Sequence, residues 1–383
     1  MIQLPRRKLL TLSSMMLGLP GVVLAGNLGI DADSLFLTAA SDPDDRHWLK
    51  VFRIAHDASL VPVFQHALPA RGHHMAAHGQ TGLYAAVARR PGNWLQFGSL
   101  DGRLVHQLDS PAGRHFLGHG VFSRDGKTFF TVENDYRDIN GDSGRIAVWQ
   151  VRRDQKTISV RRKGDFLSYG VGPHELMLMP DGHTLVIANG GIRTHPDNER
   201  EKLNLESMQP SLVYVDSASG RLLEKQQLPG RYHQASIRHL DVNSAGQVAL
   251  VMQYEGLPFE DVPLVALHER GQPLKLPDIP LMQQQQMKQY CGSVRYDQSG
   301  RYLAVSCPRG NMITFWDARQ ARFTDSVRAR DGCGVCALAD GFLYTAGTGK
   351  VSWYDLQNRQ THDMNQVIDE TILWDNHLTM VEF

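Results

Sequence analysis

From residue 76 onward one local pattern recurs: a short apolar run, a tight turn of Asp-Gly type, then a second apolar run. It appears as AAHGQTGLYAAVA (76–88), VFSRDGKTFFTV (121–132) and LMLMPDGHTLVIAN (176–189). It returns as LDVNSAGQVALVMQ (240–253), SVRYDQSGRYLAVSC (293–307) and CALADGFLYTAG (336–347), with a weaker copy, TILWDNHLTMVEF, at 371–383. Each run has strand length and either alternates or is rich in β-branched and aromatic residues, so each pair predicts a hairpin. The turn glycines Gly82, Gly126, Gly182, Gly246, Gly300 and Gly341 are spaced 44, 56, 64, 54 and 41 residues apart. After most hairpins comes a third run ending in an aromatic, such as RIAVWQV, SLVYVD, MITFWD and KVSWYD. A fourth, more polar run follows, as in ISVRRKGD.

Four strands every 40 to 65 residues predict an all-β, seven-bladed β-propeller of WD40-like type over residues 26–383. The early runs SLFLTAAS, HWLKVFRI and LVPVFQHAL supply outer strands with no inner strand before them. The last copy supplies an inner strand with nothing after it. Joining the two closes the ring, with the N-terminal strands completing the last blade, and leaves no free sheet edge. MQQQQMKQY (282–290) reads as a polar linker.

Charge narrows the function. Forty basic residues against forty acidic ones give a net charge of zero over 383 residues, which argues against a nucleic-acid partner. Arg6-Arg7-Lys8, an uncharged stretch to Leu24 and the small residues Val23 and Ala25 describe a twin-arginine signal over residues 1–25. Nothing after residue 26 is apolar for long enough to span a bilayer. The mature protein is therefore expected in the periplasm, without a membrane span.

Several stretches together resemble a known family. They are FLGHGVFSRDG, TVENDY, GVGPHEL, GIRTHPDNEREKLNLESMQPSL, SIRHLDV and the closing LWDNHL. The chain resembles, over essentially its whole length, a bacterial family of twin-arginine-exported seven-bladed propellers of unknown function. The resemblance implies iron physiology, with imelysin-type or di-haem peroxidase-like periplasmic proteins as partners. It assigns no catalytic residue.

Candidate chemistry comes from the positions just before each inner strand. These are His73 and His74, His119, His174, His239, Cys291 and Cys333, lying 7 to 9 residues before the turn glycine. Antiparallel geometry brings these positions to one face of the ring, near the channel mouth. Imidazole and thiolate suit copper, iron or zinc, and a ring too wide for one ion would suit haem or a metal chelate. Leu117-Gly118-His119 also resembles the structural Gly-His of WD-type propellers, so a purely structural ring stands beside the ligand reading. The long loop from Gly190 to Pro210 is expected to fold His195 and Arg193 over the mouth as cofactor contacts. Glu133 and Glu175 are candidate acceptors for imidazole N–H groups. The pairs Cys291/Cys307 and Cys333/Cys336 could be oxidised in the periplasm, which predicts one or two disulfides. No G-x-S-x-G, H-E-x-x-H, C-x-x-C-H or P-loop occurs. The chain therefore reads as a propeller that binds a metal ion or metal-containing small molecule in iron acquisition or handling, and leans away from enzyme. The alternatives are a propeller oxidoreductase, a lactonase-like hydrolase and a protein-binding scaffold.

Overall fold

The computed structural model describes residues 30–31, 33–198, 201–364, 371–381 and 383. The expected export signal, residues 1–25, lies outside them. Seven antiparallel sheets form the blades of a propeller. Each inner strand packs against the inner strands of both neighbouring blades, and the series closes on itself. The inner strands are Leu373–Val381 (blade 1), Gly72–His78 (2), Arg114–Phe122 (3), Pro173–Leu178 (4), Ala235–Val242 (5), Ser293–Tyr296 (6) and Gly332–Leu338 (7).

Blade 1 is the closure. Leu35–Ser41, His47–Ile54 and Leu60–Ala67 follow outward from the C-terminal strand. Leu35 pairs with Val381 and Thr38 with Leu378, as the unpartnered runs at the two ends require. The weak final copy is a single nine-residue strand rather than a hairpin. Blade 5 departs from four strands. It has three, and its outer position is held by one bridge between Leu267 and Lys275. The stretch read as a linker overlaps a short helix, Leu281–Gln286.

Burial follows the blade from axis to rim. In the second strand of blade 2, Leu83–Ala88, every residue is buried, because both sheet faces meet neighbouring blades. The outermost strand of blade 3, Ile158–Leu167, is largely exposed, which is why the fourth runs are polar. Aromatic pairs fill the wedges between blades: Phe315 of blade 6 stacks on Tyr354 of blade 7 with centroids 3.7 Å apart. Each such fully buried ring contributes about 1.5–3 kcal/mol of transfer free energy.

Six of the seven inner strands break register at the axial end. The extra residues fall at Asp375–His377, His73–His74, Leu117–His119, His174, Arg238 and Cys333–Gly334. A β-bulge bends its strand and re-aims the side chains it carries. Here five of the six carry or adjoin a histidine of the axis, the exception being Cys333–Gly334. Blade 6 keeps an unbroken register from Ser293 to Tyr296. Gly118 shows how tight the centre is. Its φ of +105° favours glycine, and a Cβ there would lie 2.3 Å from His73 Cδ2.

Candidate metal centre

Six imidazoles meet on the axis: His73, His74, His119, His174, His239 and His377. His119 is the hub, with ring centroids 4.8 Å from His73, 5.0 Å from His74, 5.1 Å from His174, 5.3 Å from His239 and 4.6 Å from His377. Two triads share it. The ligand nitrogens of His73, His119 and His174 lie within 4.8 Å of one another, as do those of His119, His239 and His377. Ligands at ~2.0–2.1 Å around a tetrahedral ion stand roughly 3.4 Å apart, so small side-chain rotations would bring either triad onto an ion. His73 Nε2 and His377 Nε2 are already 3.3 Å apart.

The polar accounting is unusual for a core. Among the described residues five ring nitrogens of this cluster are buried without a hydrogen-bond partner: Nδ1 of His73, His74 and His377, and both nitrogens of His119. An unsatisfied buried donor or acceptor costs about 1–3 kcal/mol. One carboxylate serves the cluster. Glu175 Oε2 accepts from His239 Nδ1 at 3.0 Å and from the Leu240 backbone N–H at 3.2 Å. Its Oε1 lies 3.5 Å from His119 Nδ1, and Arg295 approaches at 3.6 Å. Because a carboxylate only accepts, it places the His239 proton on Nδ1 and leaves Nε2 with a lone pair.

Burial pushes His73, His119, His174 and His377 well below the usual imidazole value. Neighbouring charge adds to it: Arg89 acts on His73, Arg238 on His174, and the other imidazoles on His119 and His377. His74 is pushed down by burial to about 4, against an opposing pull from Glu175. His239 also falls, burial outweighing its bond to Glu175. Six neutral imidazoles therefore face one another at neutral pH, the state that binds metal.

Five expected site residues lie elsewhere. Cys291 is fully buried in the apolar core of blades 4 to 6, because its strand has no bulge to turn it inward. Cys333 is buried with its thiol donating to the Asp331 carbonyl at 2.9 Å, and burial raises its pKa rather than making a thiolate. All four cysteines are free. Glu133 is an ion-pair partner, accepting from Arg162 at 2.6 and 3.0 Å, with Arg114 at 3.4 Å. Arg193 braces a loop by donating to the carbonyls of Asp138 and Gly141. His195 stands edge-on to Tyr136 at 5.0 Å, outside the lining of the mouth. The long loop does reach the mouth, through Ile192, Thr194 and Lys202.

Two residues of the site escaped the sequence reading. His377 sits on the closing strand, which has no turn glycine after it from which to count. Arg295 comes from blade 6, where the expected ligand was a cysteine. Above the imidazoles opens a cavity of about 360 Å³, with His73, His174 and His239 in its floor.

The fold and this axial cluster define a closed seven-bladed propeller with a histidine-lined centre. Residues 66–381 match the family described as protein of unknown function DUF1513, and the chain belongs to that family. No curated protein matches the sequence. Solved propellers are similar in fold alone. Hydrazine synthase of Kuenenia stuttgartiensis aligns with a TM-score of 0.54 at 15% identity, covering 86% of this chain and 95% of that one. The periplasmic gluconolactonase PpgL of Pseudomonas aeruginosa gives 0.60 at 14%, covering 91% and 99%. Sqt1 of Saccharomyces cerevisiae gives 0.57 at 11%, covering 87% and 82%.

Proposed function

We propose that this protein binds one transition-metal ion of copper, zinc or iron type at the axis of the propeller, after twin-arginine export to the periplasm. The reading rests on one observation: two histidine triads that share His119 each bring their ligand nitrogens within 4.8 Å of one another, in a cluster with five buried ring nitrogens that make no hydrogen bond. A structural histidine of the WD type hydrogen-bonds its surroundings, whereas His119 makes no hydrogen bond from either nitrogen and has only the Glu175 carboxylate 3.5 Å from Nδ1. His119 with His239 and His377 forms the first candidate triad, because Glu175 already orients His239. Centroid separations of 4.6–5.4 Å among most of these rings favour an ion over haem, since a macrocycle needs an open slot between its ligands. Iron handling beside imelysin-type or di-haem proteins remains the physiological setting that the family resemblance supports.

The test is calorimetric titration of metal-stripped protein with Cu(II), Zn(II) and Fe(II). We expect stoichiometric binding of at least one ion. His119→Ala and His377→Ala should each weaken it by ~10-fold or more. His183→Ala, in a turn and 72% exposed, should bind as the parent does. Identical titrations for all three variants, or a parent that binds no ion, would remove the metal reading. Lactone hydrolysis, the chemistry in the name of the gluconolactonase with the same fold, would then be the activity to assay.

A further inference from the structure

The cavity above the imidazoles has a charge opposite to what a bare metal cation needs. Its wall carries Arg89, Arg90, Lys202, Arg238 and Arg309, and among the described residues the only acid lining it is Glu255. The formal balance is 5 − 1 = +4, in a chain whose total is zero. Glu255 is itself joined to Lys202 in an ion pair. Arg238, the bulge residue of blade 5, donates from Nε to Gln253 Oε1 at 3.3 Å. Arg309 lies over the Tyr290 ring at 4.2 Å. Among the described residues no carboxylate comes within 4.0 Å of either guanidinium. Concave, low-dielectric walls of one sign focus their field at the mouth, attract the opposite charge and repel like charge. Guanidinium groups also present paired N–H donors that match the two oxygens of a carboxylate or phosphate. The cavity volume suits a small organic ligand.

We infer that this mouth is a binding site for a small multivalent oxyanion of polycarboxylate or phosphate type, and that the metal reaches the imidazoles as a complex with such an anion. The second half rests on the metal reading above; the first half stands without it. The anion sits between the arginines with its outer oxygens, and any metal it carries faces His73, His174 and His239 in the floor. Mouth and ring then have separate duties, charge recognition by the arginines and coordination by the imidazoles.

The experiment uses metal-stripped full-length mature protein and three probes in calorimetry at low salt: citrate, inorganic phosphate and neutral gluconolactone. Citrate or phosphate should bind and weaken as salt rises, and the stronger of the two identifies the anion class. Arg309→Gln and Arg238→Gln should each weaken that anion by about tenfold, Arg238→Lys by less, and His119→Ala not at all. Arg309 lies beside the cavity in a short surface turn, so its variant keeps the test alive if Arg238→Gln fails to fold. Unchelated Zn(II) should show the reverse pattern, lost in His119→Ala and kept in Arg309→Gln. Anion binding with no metal binding would leave the site standing and sink only the delivery of a metal. Failure of both anions to bind, indifference to Arg309→Gln, or gluconolactone binding as tightly as citrate would overturn it.

Discussion

Among the described residues Glu175 is the carboxylate in contact with the imidazole cluster, and it acts on the candidate ligands His239 and His119 rather than on an ion directly. Its negative charge makes the His239 ring a better electron donor and fixes which nitrogen faces the axis. Glu175→Gln keeps the shape but removes the charge and allows the amide to present its N–H group instead. We expect Zn(II) affinity to fall ~10- to 100-fold with the fold intact, read by competition with a chromophoric chelator. An unchanged affinity would mean that the second triad, His73, His119 and His174, holds the ion. At this scale the sequence was informative where a residue type repeated at a fixed distance from a turn. His73, His74, His119, His174 and His239 all reach the axis. The same count selected Cys291 and Cys333, which do not reach it. Whether a side chain enters the channel depends on the local bulge and on the neighbouring blade, and spacing along one strand contains neither.

Among the elements, the closing strand Leu373–Val381 joins fold and site. Leu378 is buried between blades and pairs with Thr38, while His377 beside it enters the cluster. Leu378→Ala should cost about 2–5 kcal/mol, since the rigid wedge cannot collapse around the lost methyl groups. Urea unfolding of the metal-free protein measures it; a loss under 1 kcal/mol would show that closure contributes little to stability. The closure itself was legible, because three N-terminal runs lacked an inner partner and one C-terminal run lacked outer ones. The missing fourth strand of blade 5 was not, because isolated apolar runs do not report which edges pair. The bulges were equally hidden. Gly118 is the exception in retrospect, a glycine next to a ring histidine where any side chain would strike His73.

At the scale of the whole molecule the cluster predicts an acid response. In the unfolded chain these histidines take up protons near pH 6.5, whereas burial in the fold holds them neutral to much lower pH. Between the two values the unfolded state binds more protons, so stability rises with pH and is lost as pH falls below about 6.5. For His74, at about 4 in the fold, the loss by pH 4 is on the order of 3 kcal/mol. Urea midpoints of metal-free protein should therefore drop steadily from pH 7 to 5. Substituting His119, which need not be charged on unfolding once removed, should flatten that slope. Parallel slopes for parent and variant would contradict neutral burial. Over the same range metal affinity should hold nearly level, because few protons compete for imidazoles whose values lie so low.

The sequence alone determined the repeat, the blade count, the circular closure and the presence of histidines at equivalent positions. All of these follow from local alternation, turn chemistry and the need to cover sheet edges. Tertiary structure decided which of those residues meet. Seven inner strands from separate blades, six of them bulged, must converge before His377 can approach His73, before Glu175 can select a tautomer in the next blade, and before five cations can gather over the cluster in a chain of zero net charge. Those are distances between residues up to 304 positions apart. They are fixed by how the blades pack around a common axis, which no pattern within a single blade encodes.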